Sequence, residues 1–146
     1  SAVNNTNYVI LRVPGIYGLG RLPLSKIRER EPLVIRDECK ITNLINVEDL
    51  ARVVWRVIKD NIKNEIINVS DGTPITSTEY YLKIYDELEI EYPPFIKMKE
   101  AGKYYSEERM SFMSESRILD VTKMKRLFGD CIKYSNISDG IKRSLS

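Results

Sequence analysis

A chain of 146 residues is long enough for one ordinary domain with its own core and too short for two comfortable ones. Its composition, 42% hydrophobic and 30% charged, is that of a folded globular protein, and 23 basic against 21 acidic side chains give no electrostatic case for nucleic acid or an anionic membrane as partner. The absence of histidine excludes histidine-based zinc sites and Ser-His or Cys-His nucleophilic catalysis within this polypeptide.

No apolar run approaches a membrane span, and no signal-peptide pattern opens the sequence. Cys39 and Cys131 lie far apart without metal-ligand spacing, so two reduced thiols in a cytoplasmic protein are expected, with no metal.

The first element expected is a strand over Tyr8–Val13, whose unbroken apolar, β-branched run suits a position covered on both faces, as in a parallel sheet. Pro14-Gly15 ends it, since proline offers no N–H to a ladder and glycine permits a sharp change of direction. Ile16 to Arg21 reads as a loop, with Gly18 and Gly20 spaced for close backbone approach, followed by a short helix from about Leu24 to Arg30. Pro32–Ile35 and Ile41–Val47 read as two short strands with Arg36-Asp37-Glu38 as their turn.

A strong helix follows. Asn46 can cap it, Glu48 and Asp49 favour its N-terminal dipole, and Leu50, Val53, Val54, Val57 and Ile58 form one apolar face that should be buried. Ile66–Val69 is the next strand, closed by Asp71-Gly72. Thr76 and Glu79 carry a capping-box pattern for a helix with a buried stripe of Tyr81, Ile84, Tyr85 and Leu88. Tyr92 to Ser116 should be loops around one short helix. Asp120 is placed to cap a helix bearing Val121, Met124, Leu127 and Phe128 that stops at Gly129, and Ile137, Ile141 and Leu145 suggest a last amphipathic turn or two. Alternating strands and helices argue for an α/β layer with parallel strands, and nothing in that pattern alone says what the sheet binds.

Four segments in order resemble extended short-chain dehydrogenase/reductases, the NAD-dependent epimerase/dehydratase group. They are Leu11-Arg12-Val13-Pro14-Gly15-Ile16-Tyr17-Gly18-Leu19-Gly20-Arg21, Asn43-Leu44-Ile45-Asn46-Val47-Glu48-Asp49-Leu50-Ala51, Ile67-Asn68-Val69-Ser70-Asp71-Gly72, and the tail from Ser116 to Leu145. In that tail an Asp-x-x-Lys helix with Asp120 and Lys123 should precede a short aromatic strand and a final helix. The resemblance covers nearly the whole chain and implies the C-terminal half of such a protein. The expected fold is α/β, the C-terminal portion of a Rossmann-type parallel sheet plus the small substrate-binding subdomain, over residues 1–146.

In the family a GxxGxxG turn holds the cofactor pyrophosphate and a Tyr-x-x-x-Lys pair transfers the substrate proton. This sequence has neither, so no catalytic residue is expected in it and the chain alone should be inactive. Carried over residue by residue, the resemblance implies that Pro14, Gly15 and Ile16 pass the nicotinamide of NAD or NADP. Tyr17, Arg21 and Asn43 fall at substrate-side positions, the substrate being a small molecule of sugar-like kind. Asn46 stands where the family often has histidine and reads as the helix cap. Thr42 stands where nucleotide-sugar enzymes often carry a diphosphate-binding arginine, Arg109 is a candidate phosphate contact, and Tyr104, Tyr105, Met110 and Met113 are candidates for an apolar pocket or plain core. A non-catalytic binding or scaffold protein of the same fold is the alternative, and a stand-alone small domain that binds a partner is a third reading. A sheet deprived of its neighbours should self-associate.

Overall fold

The computed structural model describes residues 6–146, so Ser1 to Asn5 lie outside the described residues. In chain order the elements are β1 (Val9–Arg12), β2 (Gly15–Tyr17), α1 (Leu24–Arg28), β3 (Leu33–Val34), β4 (Ile41–Thr42), β5 (Leu44–Asn46), α2 (Val47–Lys59), β6 (Glu65–Asn68), β7 (Ile75–Thr76), α3 (Ser77–Leu88), β8 (Phe95–Ile96), α4 (Glu107–Ser114), α5 (Thr122–Phe128) and α6 (Ile137–Leu145). The expected parallel arrangement is present. β1 pairs with β6, β2 with β5 and β3 with β8, all parallel, while β4 and β7 pair antiparallel.

β1 and β6 bring Ile10 opposite Ile66 and Leu11 opposite Ile67. Side chains alternate across a strand, so Val9, Leu11 and Ile67 meet one face, where Val53 of α2 and Met124 and Phe128 of α5 close over them. The opposite face carries Ile10 and Ile66, 49% and 42% exposed, with Tyr8 beside them. Within this chain the strand is therefore covered on one face and bare on the other. The apolar run is real, but helices pack on only one side of it.

Two readings of the middle of the chain need correction. Arg36–Glu38 is a 3-10 turn, but the strands around it do not pair with one another, because β3 joins β8 and the run from Ile41 divides at Asn43 into β4 and β5, which go to different partners. The apolar face of α2 is also only partly buried. Val53 is fully enclosed, whereas Val54 and Ile58 lie exposed beside Trp55 on an adjacent stripe.

Helix starts follow local chemistry closely. Asn46 Oδ1 accepts from the Glu48 N–H at 2.8 Å, and Thr76 Oγ1 accepts from the Glu79 N–H at 3.1 Å. Asp120 Oδ1 accepts from the N–H and the hydroxyl of Thr122, at 2.9 and 2.6 Å. In α3 the enclosed residues are Thr78, Leu82, Ile84 and Tyr85, while Leu88 reaches solvent. At the end of α5, Gly129 keeps right-handed helical backbone and the chain tightens into a 3-10 turn over Gly129–Cys131. The aromatic strand expected after it does not form. The Lys133 and Tyr134 N–H groups donate instead to the two carboxylate oxygens of Asp49, at 2.9 and 3.0 Å.

Asn46→Ala should lower stability by roughly 1–2 kcal/mol, the upper part of the N-cap range, because the amide is buried as well as bonded. The check is the denaturant midpoint at unchanged slope; an unmoved midpoint would deny the side chain its capping role.

Candidate functional site

Two adjoining clefts open where β2, β4 and α4 meet. The larger, of about 490 Å³, is lined by Arg12, Pro14, Gly15, Thr42, Asn43 and Arg117 together with Val13, Phe112, Glu115 and Leu119. The second, of about 260 Å³, shares Gly15, Thr42 and Phe112 with it and adds an aromatic wall of Tyr17, Tyr80 and Tyr81. Pro14-Gly15 thus forms part of the floor where the larger cleft turns into the smaller.

Gly15 has a packing reason of its own. A Cβ there would lie 3.0 Å from Leu44 Cδ2 on the paired strand, so a side chain would crowd Leu44 as well as narrow the cleft. The next glycines serve two different ends. Gly18 lies so close to Val47 at the start of α2 that a Cβ would come within 2.4 Å of its Cγ1, whereas Gly20 has open space and a φ of +77°, which side-chain-bearing residues rarely adopt. Close approach is therefore found at Gly18 only.

Of the residues singled out in the sequence, Pro14, Gly15, Ile16, Tyr17 and Asn43 all line one cleft or the other. Arg21 is exposed on the loop after Gly20 and lines neither. Asn43 is buried and its amide is committed to backbone. Nδ2 donates to Arg117 O at 2.6 Å and Oδ1 accepts from the Leu119 N–H at 3.4 Å. With the Arg117 N–H donating to Ile41 O at 3.1 Å, this fastens the segment after α4 along β4 and sets Arg117 over the larger cleft.

Tyr17 borders the second cleft with its ring, packed 5.8 Å from Tyr80 between centroids. Its hydroxyl is turned inward toward α6, where a Cβ on Gly140 would fall 1.9 Å from it.

Arg109 is among the residues that line the second cleft, with its guanidinium already engaged. It pairs with Glu31 and its guanidinium lies over the Tyr105 ring at 3.8 Å and the Tyr81 ring at 5.0 Å, an arrangement that holds α4 against the segment before β3. Tyr105 and Met113 are buried in a small core with Val34 and Ala101, so the aromatic and methionine cluster is chiefly packing, with Met113 alone also facing the second cleft.

Sequence reasoning missed Phe112 and Arg117. Phe112 is exposed and stands between the two clefts, but α4 has almost no amphipathic pattern from which its direction could be read. Arg117 owes its place to Asn43, 74 residues away in sequence.

Beneath the floor lies a buried polar group. Asp49 is fully enclosed, paired with Arg52 and bonded to the two N–H groups of the tail. Asp71, also buried, accepts from the Thr73 N–H at 2.8 Å through Oδ1, while its Oδ2 has no partner among the described residues. Burial pushes the Asp71 carboxyl up to about 7, opposed by the Thr73 N–H bond and reinforced by the Asp49 charge. Among the described residues no cluster of side chains suited to hold a metal ion occurs, and no helix is long and apolar enough to cross a membrane.

The fold is α/β and matches Rossmann-like epimerase structures over about half of their length. A functionally unknown conserved protein from Silicibacter pomeroyi DSS is 25% identical, with a TM-score of 0.82 over 94% of this chain and 48% of that one. The human epimerase family protein SDR39U1, solved with NADPH, is 13% identical, with a TM-score of 0.77 over 97% and 49%. A nucleoside-diphosphate-sugar epimerase from Pseudomonas aeruginosa is 17% identical, with a TM-score of 0.72 over 99% and 48%. The chain spans about half the length of the solved chains it matches. No family model and no curated protein matches the sequence.

Proposed function

We propose that this chain is the C-terminal, substrate-side part of an NAD(P)-dependent oxidoreductase of the epimerase/dehydratase kind, working in the cytoplasm. The observation that carries the reading is the paired cleft with Pro14-Gly15 in its floor, in a fold shared with epimerase structures over half their length. The turn suits a flat ring, because it presents backbone and a pyrrolidine rather than a long side chain.

In this reading Pro14, Gly15 and Ile16 hold the nicotinamide end of NAD or NADP, which when bound supplies hydride transfer at a carbon bearing a hydroxyl or carbonyl. Tyr17 walls the substrate space, and Asn43 shapes it by holding the 117–119 segment. Arg21 meets a ligand only where the loop after Gly18 folds inward. The sugar-like substrate lies toward Thr42, Phe112 and Tyr80. None of these side chains is positioned as a nucleophile or a proton-transfer group, so the chain is assigned binding and orientation and no catalytic residue.

Titration of the ¹⁵N-labelled chain with NAD and NADP is expected to move the Gly15 and Ile16 amide signals at millimolar concentration, without saturable micromolar binding by calorimetry. Micromolar affinity would show that the grip on the dinucleotide lies within these residues after all. Unmoved Gly15 and Ile16 signals at every concentration would remove the cofactor role.

A further inference from the structure

An enclosed oxygen without a partner, Asp71 Oδ2, lies one hydrogen bond from the second cleft, and the inward-turned Tyr17 hydroxyl, beside the Asn46 amide, belongs to a residue that lines it. Tyr17 ends β2, the strand that begins with Gly15. Asp71 sits in the turn that follows β6, and its own N–H donates to Leu44 O at 2.9 Å, on the strand paired with β2.

The turn is held from several sides. Gly72 N–H donates to Ser70 Oγ at 3.0 Å, Thr73 N–H to Asp71 Oδ1 at 2.8 Å, and the Thr73 hydroxyl to Ser135 O, just ahead of α6, at 3.0 Å. A carboxylate with an unpartnered oxygen in such surroundings costs more than the protonated acid, whose unpaired O–H forfeits a hydrogen bond but buries no charge.

We infer that Asp71 is a proton-dependent latch on the strands of the cleft: carrying its proton it keeps the 70–73 turn bonded to β5, and losing it opens that turn and loosens the β5–β2 pair with Gly15 and Ile16. The inference is independent of the dinucleotide reading, since it concerns only residues of this chain and the space above them.

The charged and titratable groups around Asp71 set the direction. From α2 comes Asp49, whose charge is partly offset by Arg52 and which disfavours a second carboxylate nearby. From β2 comes Tyr17, whose phenol is itself held well above its ordinary range, first by burial and then by the charges of Asp71 and Asp49, so it stays neutral. From α5 comes Lys125, which approaches the outer side of the turn, its Nζ 3.6 Å from where a Gly72 Cβ would lie.

The unfolded chain ionises Asp71 at the ordinary value of 3.8, and the folded chain at about 7. Between those values the folded form holds a proton that the unfolded form lacks, so raising the pH across this window favours opening; above it the effect is complete.

Carboxyl-carbon NMR on the intact chain reads the latch directly. The Asp71 carboxyl signal is expected to titrate near pH 7. The Gly15 and Ile16 amide signals should move with the same midpoint in the wild type and stay flat in Asp71→Asn across that range. A midpoint in the ordinary carboxylate range near 4, or Gly15 and Ile16 signals that ignore the Asp71 transition, would overturn the inference. Both readings on the wild type stand even where Asp71→Asn fails to fold.

Discussion

Gly140→Ala is expected to destabilise the folded chain by roughly 3 kcal/mol, at the severe end of overpacking substitutions. The ordinary expectation has the opposite sign, because replacing glycine inside a helix by alanine gains about 1 kcal/mol. Here the new methyl group would lie 1.9 Å from Tyr17 Oη and 2.8 Å from Cζ. The tyrosine cannot move aside, being buried in one cluster with Ile27, Leu44, Ile84, Ile137 and Ile141 and packed against Tyr80. Retreat of α6 is the remaining relief, and it would pull that helix away from α3, its main neighbour.

Gly129→Ala is the matched control, since nothing lies within 4 Å of a Cβ there and the backbone is already right-handed helical. Denaturant midpoints of the two variants decide the matter. Equal midpoints would mean that the contact between α6 and Tyr17 is not close. Adding Tyr17→Phe to Gly140→Ala should restore part of the loss, because the atom nearest the new methyl is removed.

The second large effect concerns association. We expect the chain to assemble beyond its 17.0 kDa monomer at micromolar concentration, and Ile10→Lys with Ile66→Lys to disperse the assembly. Ile10 and Ile66 sit opposite one another on the bare face of the β1–β6 pair, and a two-stranded parallel sheet has a free edge on each side. Parallel sheets are ordinarily covered on both faces. Covering a few hundred Å² of this one, at about 25 cal/mol per Å², yields several kcal/mol before association entropy is subtracted.

The substitutions are aimed at Ile10 and Ile66 rather than Val9, because Val9 turns toward α2 and α5 and a lysine there would attack the core instead. Sedimentation is the measurement. A wild-type monomer whose mass and solubility the two lysines leave unchanged would show that the bare face is inert.

Helix α2 was legible from the sequence because its information is local: an asparagine cap, two acids in the first turn and apolar residues at helical spacing. The cap of α3 was legible for the same reason, and Asp120 as an acceptor at the start of α5, although the cap position there is taken by Val121. The pairing of β3 with β8 was not. Two residues on each side, Leu33-Val34 and Phe95-Ile96, are too short to show a period, and the contacts that flank their pairing, from Arg30 to the carbonyls of Glu91 and Tyr92, span about 60 residues.

At the cleft, Pro14, Gly15 and Asn43 were legible as motif positions, whereas the reason Asn43 matters, its hold on Arg117 and Leu119, is a contact across more than 70 residues. Asp49 shows the same limit. Its sequence position suggested a charge favouring the helix dipole, and the structure adds a second role as acceptor for the tail.

That second role has a consequence for how the chain closes as it is made. Asp49 leaves the site of synthesis 84 and 85 residues before the two N–H groups that complete its coordination. At roughly 5–20 residues per second the interval is on the order of 5–15 s. Throughout it the carboxylate has Arg52 alone and remains in water, so the first turn of α2 cannot settle against its neighbours. Glu48, one residue earlier, waits longer still for Arg143. The unit therefore cannot lock from its beginning forward. Its closing event belongs to the emergence of Lys133 and Tyr134, and a ribosome paused before them holds a chain whose central helix is unseated.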